Sequence, residues 1–265
     1  MFVVVAAWAA VLLVVAYLSV RHDEPTVPEQ RDVAAAAPVV DRAIGQLVAA
    51  AGDDVVVELS PPRLTSGCRL TPLRDGAALD RSVTVRTAVG AEPTVLDRVA
   101  QWLPGSYHAG TRRGRDGATV SLRADAGEFV GIRGALAGPG VLTLTAATGC
   151  RPASPNFDPT VRLLYGLQID EEPPRILAAL GISPSGPVVR FGAPCPGGGA
   201  VHTARGSGRA SGKEAPLETA VRPAAGGAVV ADTPDLYAYR DGRRSVVVER
   251  VDREILVAVS EGCGQ

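Results

Sequence analysis

Aromatic residues make up only 4% of this 265-residue chain, and lysine, asparagine and methionine occur once each, as Lys213, Asn156 and Met1. Cores must therefore be built from Val, Leu, Ile and Ala, without the large buried area that Phe or Trp supplies. The preference for Ala, Gly, Arg and Val over Lys and Asn is that of high-GC coding, as in actinobacteria. An excess of charge is also lacking, because 27 basic side chains face 28 acidic ones. The balance holds locally: residues 38–151 hold 13 Arg against 11 acids, and residues 171–265 hold 11 basic against 11 acidic groups. A nucleic-acid binder concentrates positive charge on one domain or stripe, so nucleic acid is not an expected partner.

Motifs of familiar chemistry are missing too. No C-x-x-C occurs, and the three histidines, His22, His108 and His202, are far apart in sequence, so neither a thioredoxin-like role nor a metal site has a basis. No G-x-S-x-G elbow is present. The stretch Ser207-Gly-Arg-Ala-Ser-Gly212-Lys213-Glu214 resembles a phosphate loop, but Ser207 stands where the first Gly belongs and Glu214 where the Mg²⁺-binding hydroxyl belongs. It reads as a basic surface loop, and no nucleotide or other cofactor is expected.

What is present begins with an uncharged apolar run, Met1 to Val20, long enough at 1.5 Å per residue to cross the roughly 30 Å hydrocarbon core. A cleaved signal peptide is the rival reading. Such a peptide calls for a basic n-region and an A-x-A-like site, and Ala16-Tyr-Leu-Ser-Val20 offers no good one. Residues 1–20 are read as a transmembrane anchor and residues 21–37 as a juxtamembrane linker. Arg21 alone would favour a cytoplasmic C-terminal side. Four cysteines in a matched arrangement point the other way, to an oxidising, extracytoplasmic compartment.

Those cysteines mark an internal duplication. Cys68 precedes Arg115-Asp116-Gly117 and a closing segment Leu142 to Cys150; Cys195 precedes Arg240-Asp241-Gly242 and a closing segment Ile255 to Cys263. The spacing predicts two similar domains, 38–151 and 171–265, joined by a connector at 152–170 and stapled by Cys68–Cys150 and Cys195–Cys263. Each is expected to be α+β, with one or two helices on a mainly antiparallel sheet. In the first, a helix from Pro38 carries Val40, Ile44, Leu47, Val48 and Ala51 on one face. A second helix starts at Thr94 as its cap and buries Val95, Val99, Trp102 and Leu103.

Strands follow at Tyr107–Arg112, Thr119–Arg123, Phe129–Arg133 and Leu142–Thr148. The Asp of each Arg-Asp-Gly lies 34 residues before the final Cys in copy one and 22 in copy two. The difference of 12 predicts an extra strand, Phe129 to Arg133, in copy one. Leu142, Leu144 and Ala146, and likewise Ile255, Val257 and Val259, share the parity of the terminal Cys and so an inward face. In the connector, the apolar half 161–169 reads as a strand or as interdomain packing.

Site candidates are few. His108, after the Trp102 helix, is the best single candidate base, and Arg112, Arg113 and Arg115 at a hairpin tip could meet anionic headgroups or wall polymers. Asp170-Glu171-Glu172 reads as the acidic start of a helix. The expected function is a membrane-anchored extracytoplasmic binding or assembly module of the bacterial cell envelope, with an envelope protein or polymer as partner. The alternative is a cell-envelope hydrolase or transferase with its site between the two domains.

Overall fold

The computed structural model describes residues 2–22, 31–72, 74–115, 119–160, 171–210, 217–222 and 226–263. Helix α1, Phe2–His22, is apolar from Phe2 to Leu18 and exposed on all sides where its side chains are described. At about 1.5 Å per residue its 21 residues are long enough to cross a bilayer. Helix α2, Val33–Ala51, is also long and apolar enough to cross a membrane by length and composition, but it is mostly buried in the core.

α2 starts five residues before the expected Pro38, within the predicted linker. The side chain of Asp32 caps it by accepting from the Ala35 amide at 2.8 Å. The predicted apolar face is buried throughout. Strands β1 (Val56–Leu59), β2 (Arg63–Thr71) and β3 (Arg74–Arg86) follow, then helix α3 (Glu92–Trp102). Thr94 is not its cap: Ala91 is, Pro93 occupies the first turn, and the Glu92 carboxylate accepts from the Gly140 amide at 2.5 Å. That bond holds the Glu92 carboxyl below its ordinary range. Trp102, expected inside, is 69% exposed, and Leu96 takes the buried place. The expected strand at Tyr107 starts later, because Gly105–Tyr107 form a 3₁₀ turn. A four-strand meander closes the unit: β4 (Gly110–Arg113), β5 (Val120–Asp125), β6 (Gly131–Gly138) and β7 (Val141–Ala147).

The second half repeats this order with α4 (Glu172–Ala179), β8 (Val189–Pro194), β9 (Ala200–Arg209), α5 (Leu217–Val221), β10 (Ala228–Thr233), β11 (Leu236–Asp241), β12 (Arg244–Val251) and β13 (Glu254–Glu261). Both sheets are antiparallel. One runs β1-β3-β7-β6-β5-β4 with β2 also on β3, and the other runs β10-β11-β12-β13-β9-β8. β1 and β2 pair with successive stretches of one edge of β3, so they form a single edge strand broken at Pro61-Pro62. The second sheet has the same break, with Ser185 bonded to Ser207 before β8 begins at Val189. The duplication is therefore complete, strand for strand.

This corrects the extra strand. β6 has its counterpart in β12, so the Phe129–Arg133 arm is not unique to copy one. The Arg-Asp-Gly segments are not equivalent. In copy one the motif lies between β4 and β5, with Asp116 and Gly117 outside the described residues, whereas Asp241-Gly242 lies between β11 and β12. One hairpin of offset accounts for the difference in spacing. The predicted surface loop from Ser207 is likewise the end of β9 as far as Arg209, with 211–216 outside the described residues, as is the apolar half of the connector.

The disulfides are equivalent. Each joins the edge strand to the residue leaving the last strand, with Cα atoms 5.9 Å apart in Cys68–Cys150 and 5.6 Å apart in Cys195–Cys263. The six inward residues of the closing strands are all buried. Each bridge closes a long loop, 82 and 68 residues in sequence. Replacing either pair by serine should lower the unfolding free energy by about 4 kcal/mol, read from denaturant melts. Peptide mapping without reduction should return these two links, and a Cys68–Cys195 link would contradict the two-unit fold.

Candidate functional site

The two sheets meet edge on face. The helices α2 and α3 cover one face of the first sheet, and α4 and α5 cover one face of the second. The other face of the second sheet receives domain one. β1 lies across it, with Val56 packed among Ala238, Val247 and Ala258. β1 is an edge strand, so half of its amides point away from β3. Those of Val57 and Leu59 donate to the hydroxyls of Ser245 at 3.1 Å and Thr203 at 3.0 Å on the second sheet.

Arg240 fastens one end of this joint. It is 6% exposed and donates to the carbonyls of Val55 and Gly242 at 2.8 Å and to Asp53 at 2.9 Å. Burial pulls its guanidinium below the ordinary value, opposed by Asp53 and Asp54. Asp54 itself is held low by its hydrogen bond from Arg98. At the other end α2 packs into the corner of β8, where a Cβ on Gly45 would fall 1.8 Å from the Pro194 carbonyl oxygen. Only glycine permits that approach.

Where domain one stops covering the second sheet, a groove of about 510 Å³ remains between them. Glu58, Pro61, Thr84 and Arg86 form one wall, and Val189, Phe191, Arg205, Ser207, Glu249 and Leu256 are among the residues of the other. Strand alternation explains this: Glu58, Thr84 and Arg86 share the outer face of their sheet, while the opposing residues share the face that β1 occupies.

The charged groups here are already engaged. Glu58 accepts from Arg86 Nη1 at 2.9 Å through Oε2 and from Arg205 Nε at 2.9 Å through Oε1. Arg86 also lies 3.6 Å from the Glu249 carboxylate, and the Arg205 guanidinium sits 5.2 Å from the centre of the Phe191 ring. The walls beside them stay apolar and open, with Val189 55% and Leu256 37% exposed. Among the described residues no three His, Cys, Asp or Glu side chains gather as a metal site requires.

The residues singled out from sequence lie elsewhere. β4 is at the opposite edge of the first sheet from β1, so His108, Arg112, Arg113 and Arg115 are remote from the seam. They do not form one group. Arg113 points to α3 and donates to Asp97 at 2.8 Å, alongside Thr111 at 2.6 Å. Arg112 and Arg115 are exposed, and His108 lines a second, more open groove with Arg123, Phe129 and Arg133. Glu171 and Glu172 open α4 as expected; Glu171 pairs with Arg175 at 2.6 Å and Glu172 with Arg244. Glu58, Arg86 and Arg205 were missed because each stands in an alternating strand as an ordinary outward residue, and only domain docking brings them together.

The fold is similar to the crystal structure of a DUF4853 family protein from Actinomyces odontolyticus, with a TM-score of 0.36 and 14% identity over 65% of this chain and 91% of that one. No family model and no curated protein sequence matches the chain.

The Glu58 cluster yields a direct test. Glu58→Leu leaves Arg86 buried without its main counter-charge and should cost about 3–5 kcal/mol, whereas Glu58→Leu with Arg86→Met should recover much of that loss. Denaturant melts of the two variants check it.

Proposed function

We propose that this chain is an extracytoplasmic binding or assembly module of an actinobacterial-type cell envelope, anchored in the membrane by α1. Its ligand is a partner protein that places an apolar segment in the seam groove. The observation that carries this reading is the groove itself, where exposed Val189 and Leu256 flank two arginines balanced by Glu58 and Glu249. Exposed apolar surface rimmed by polar groups is the common form of a protein interaction site. The disulfides and the exposed apolar helix support the compartment and the anchor.

An envelope hydrolase or transferase with its site in the same seam has less behind it. Both Glu58 oxygens are taken by arginines, and the Ser207 hydroxyl is 3.1 Å from that of Ser185 rather than beside a base. Neither arrangement offers a free acid, base or activated nucleophile.

Val189→Arg or Leu256→Arg should abolish co-purification of the partner from detergent-solubilised native membranes while leaving the melting temperature unchanged, since both side chains are exposed. Val89→Arg, at an apolar position 77% exposed outside the groove, should leave capture intact. Equal capture by all three variants would refute the groove as the site. Carbonate extraction tests the anchor: an embedded α1 keeps the chain in the membrane fraction, and a cleaved signal sequence releases it.

A further inference from the structure

The chain enters domain one at Arg31, whose guanidinium lies 3.8 Å from the Glu128 carboxylate. From His22, at the end of α1, to Arg31 is nine residues of chain, which can span at most about 30 Å. The β5–β6 turn that carries Glu128 therefore lies beside the point where the chain from α1 enters the first domain.

That turn is built to hold an aromatic ring outward. Glu128 and Phe129 both have left-handed backbone, with φ of 50° and 57°, a conformation disfavoured for side-chain-bearing residues. Arg151, 1% exposed, fixes the turn from beneath by donating to the carbonyls of Glu128 and Thr148. The Gly127 amide donates to Asp125 at 2.9 Å and the Val130 amide to the Gly127 carbonyl at 3.0 Å. Phe129 is left 59% exposed.

Beside it, Arg123 on β5 and Arg133 on β6 are directly opposed partners in the ladder. Like charges placed so repel one another. Among the described residues neither has a hydrogen-bond or ion-pair partner; the exposed Asp125 carboxylate lines the same groove and accepts from the Gly127 amide, and Glu128 faces Arg31, so the two guanidinium groups outnumber the one acid beside them. With exposed His108 they line one open groove of about 530 Å³. Two guanidinium groups on adjacent strands suit one phosphate between them, and a ring at the same rim suits the layer beneath the headgroups.

We propose that this end of the first domain, with Arg123, Arg133 and Phe129, docks on the anionic phospholipid surface of the membrane that holds α1. The inference rests on the anchor reading and adds to it an orientation: the β5–β6 turn faces the lipid, and the domain lies against the bilayer rather than standing off it.

The test is hydrogen exchange of the full chain in nanodiscs. Discs of pure phosphatidylcholine are compared with discs containing about one-third phosphatidylglycerol, a charge density at which a few arginines bind appreciably. Amides of residues 124–131 should exchange at least about threefold more slowly on the anionic discs. Arg123→Glu with Arg133→Glu, and separately Phe129→Ser, should remove the difference while exchange in β12 and β13 stays as in the parent protein. Equal exchange on both discs by a chain that co-migrates with them overturns the docking and leaves the anchor standing. A chain that does not co-migrate overturns the anchor. Protection on phosphatidylcholine discs by millimolar inorganic phosphate would assign the groove to a soluble anion and also overturn the docking.

Discussion

The outer edge of β1 sets how the two domains meet. An edge strand carries a row of unpaired amides, and burying one without an acceptor costs about 1–3 kcal/mol. Here the Val57 and Leu59 amides are buried and satisfied, not by another strand but by the hydroxyls of Ser245 and Thr203 on the face of the second sheet. The first sheet therefore stands edge-on against the second. That arrangement hides the edge from other chains and sets the angle between the sheets. The groove between Arg86 and Val189 is the remainder of that angle.

A complete duplication has been put to unequal use. Both halves have the same strand order and equivalent disulfides, yet their outer sheet faces differ in what covers them. The face of the second sheet is filled by β1 and by α2, which reaches Phe191 and Ala193 through the clearance left at Gly45. The matching face of the first sheet meets the second only at its β1 end, through Val56 and Glu58, and is open over β4, β5 and β6. It bears Arg112, Arg123 and Arg133 without partners among the described residues.

Charge is handled in opposite ways at the two ends of the first sheet. At the seam, Glu58 and Glu249 together balance Arg86 and Arg205, so a ligand there would meet exposed apolar walls and little net charge. At the β5–β6 end the arginines are unpaired and an aromatic ring stands exposed on a strained turn. The proposed functions follow this division, with a protein segment at the neutral groove and lipid phosphate at the cationic one.

The sequence alone carries the apolar N-terminal helix, the α+β class, the cysteine pairing and the inward faces of α2, β7 and β13, because alternation, helical period and cysteine spacing are local or one-dimensional signals. It misaligned the copies at their Arg-Asp-Gly turns, since a three-residue turn motif recurs in any hairpin and does not say which one. It hid Arg240, Glu58, Arg86 and Arg205 among solvated-looking charges, and placed Trp102 inside on helical period alone. Arg113 was grouped with Arg112 although adjacent strand residues point to opposite faces. That one sheet edge rests on the other sheet's face emerges from packing alone. Docking of that kind is set by complementary amides, hydroxyls and one glycine, at positions such as Gly45 and Pro194 that are distant in the chain and meet only after both domains have formed.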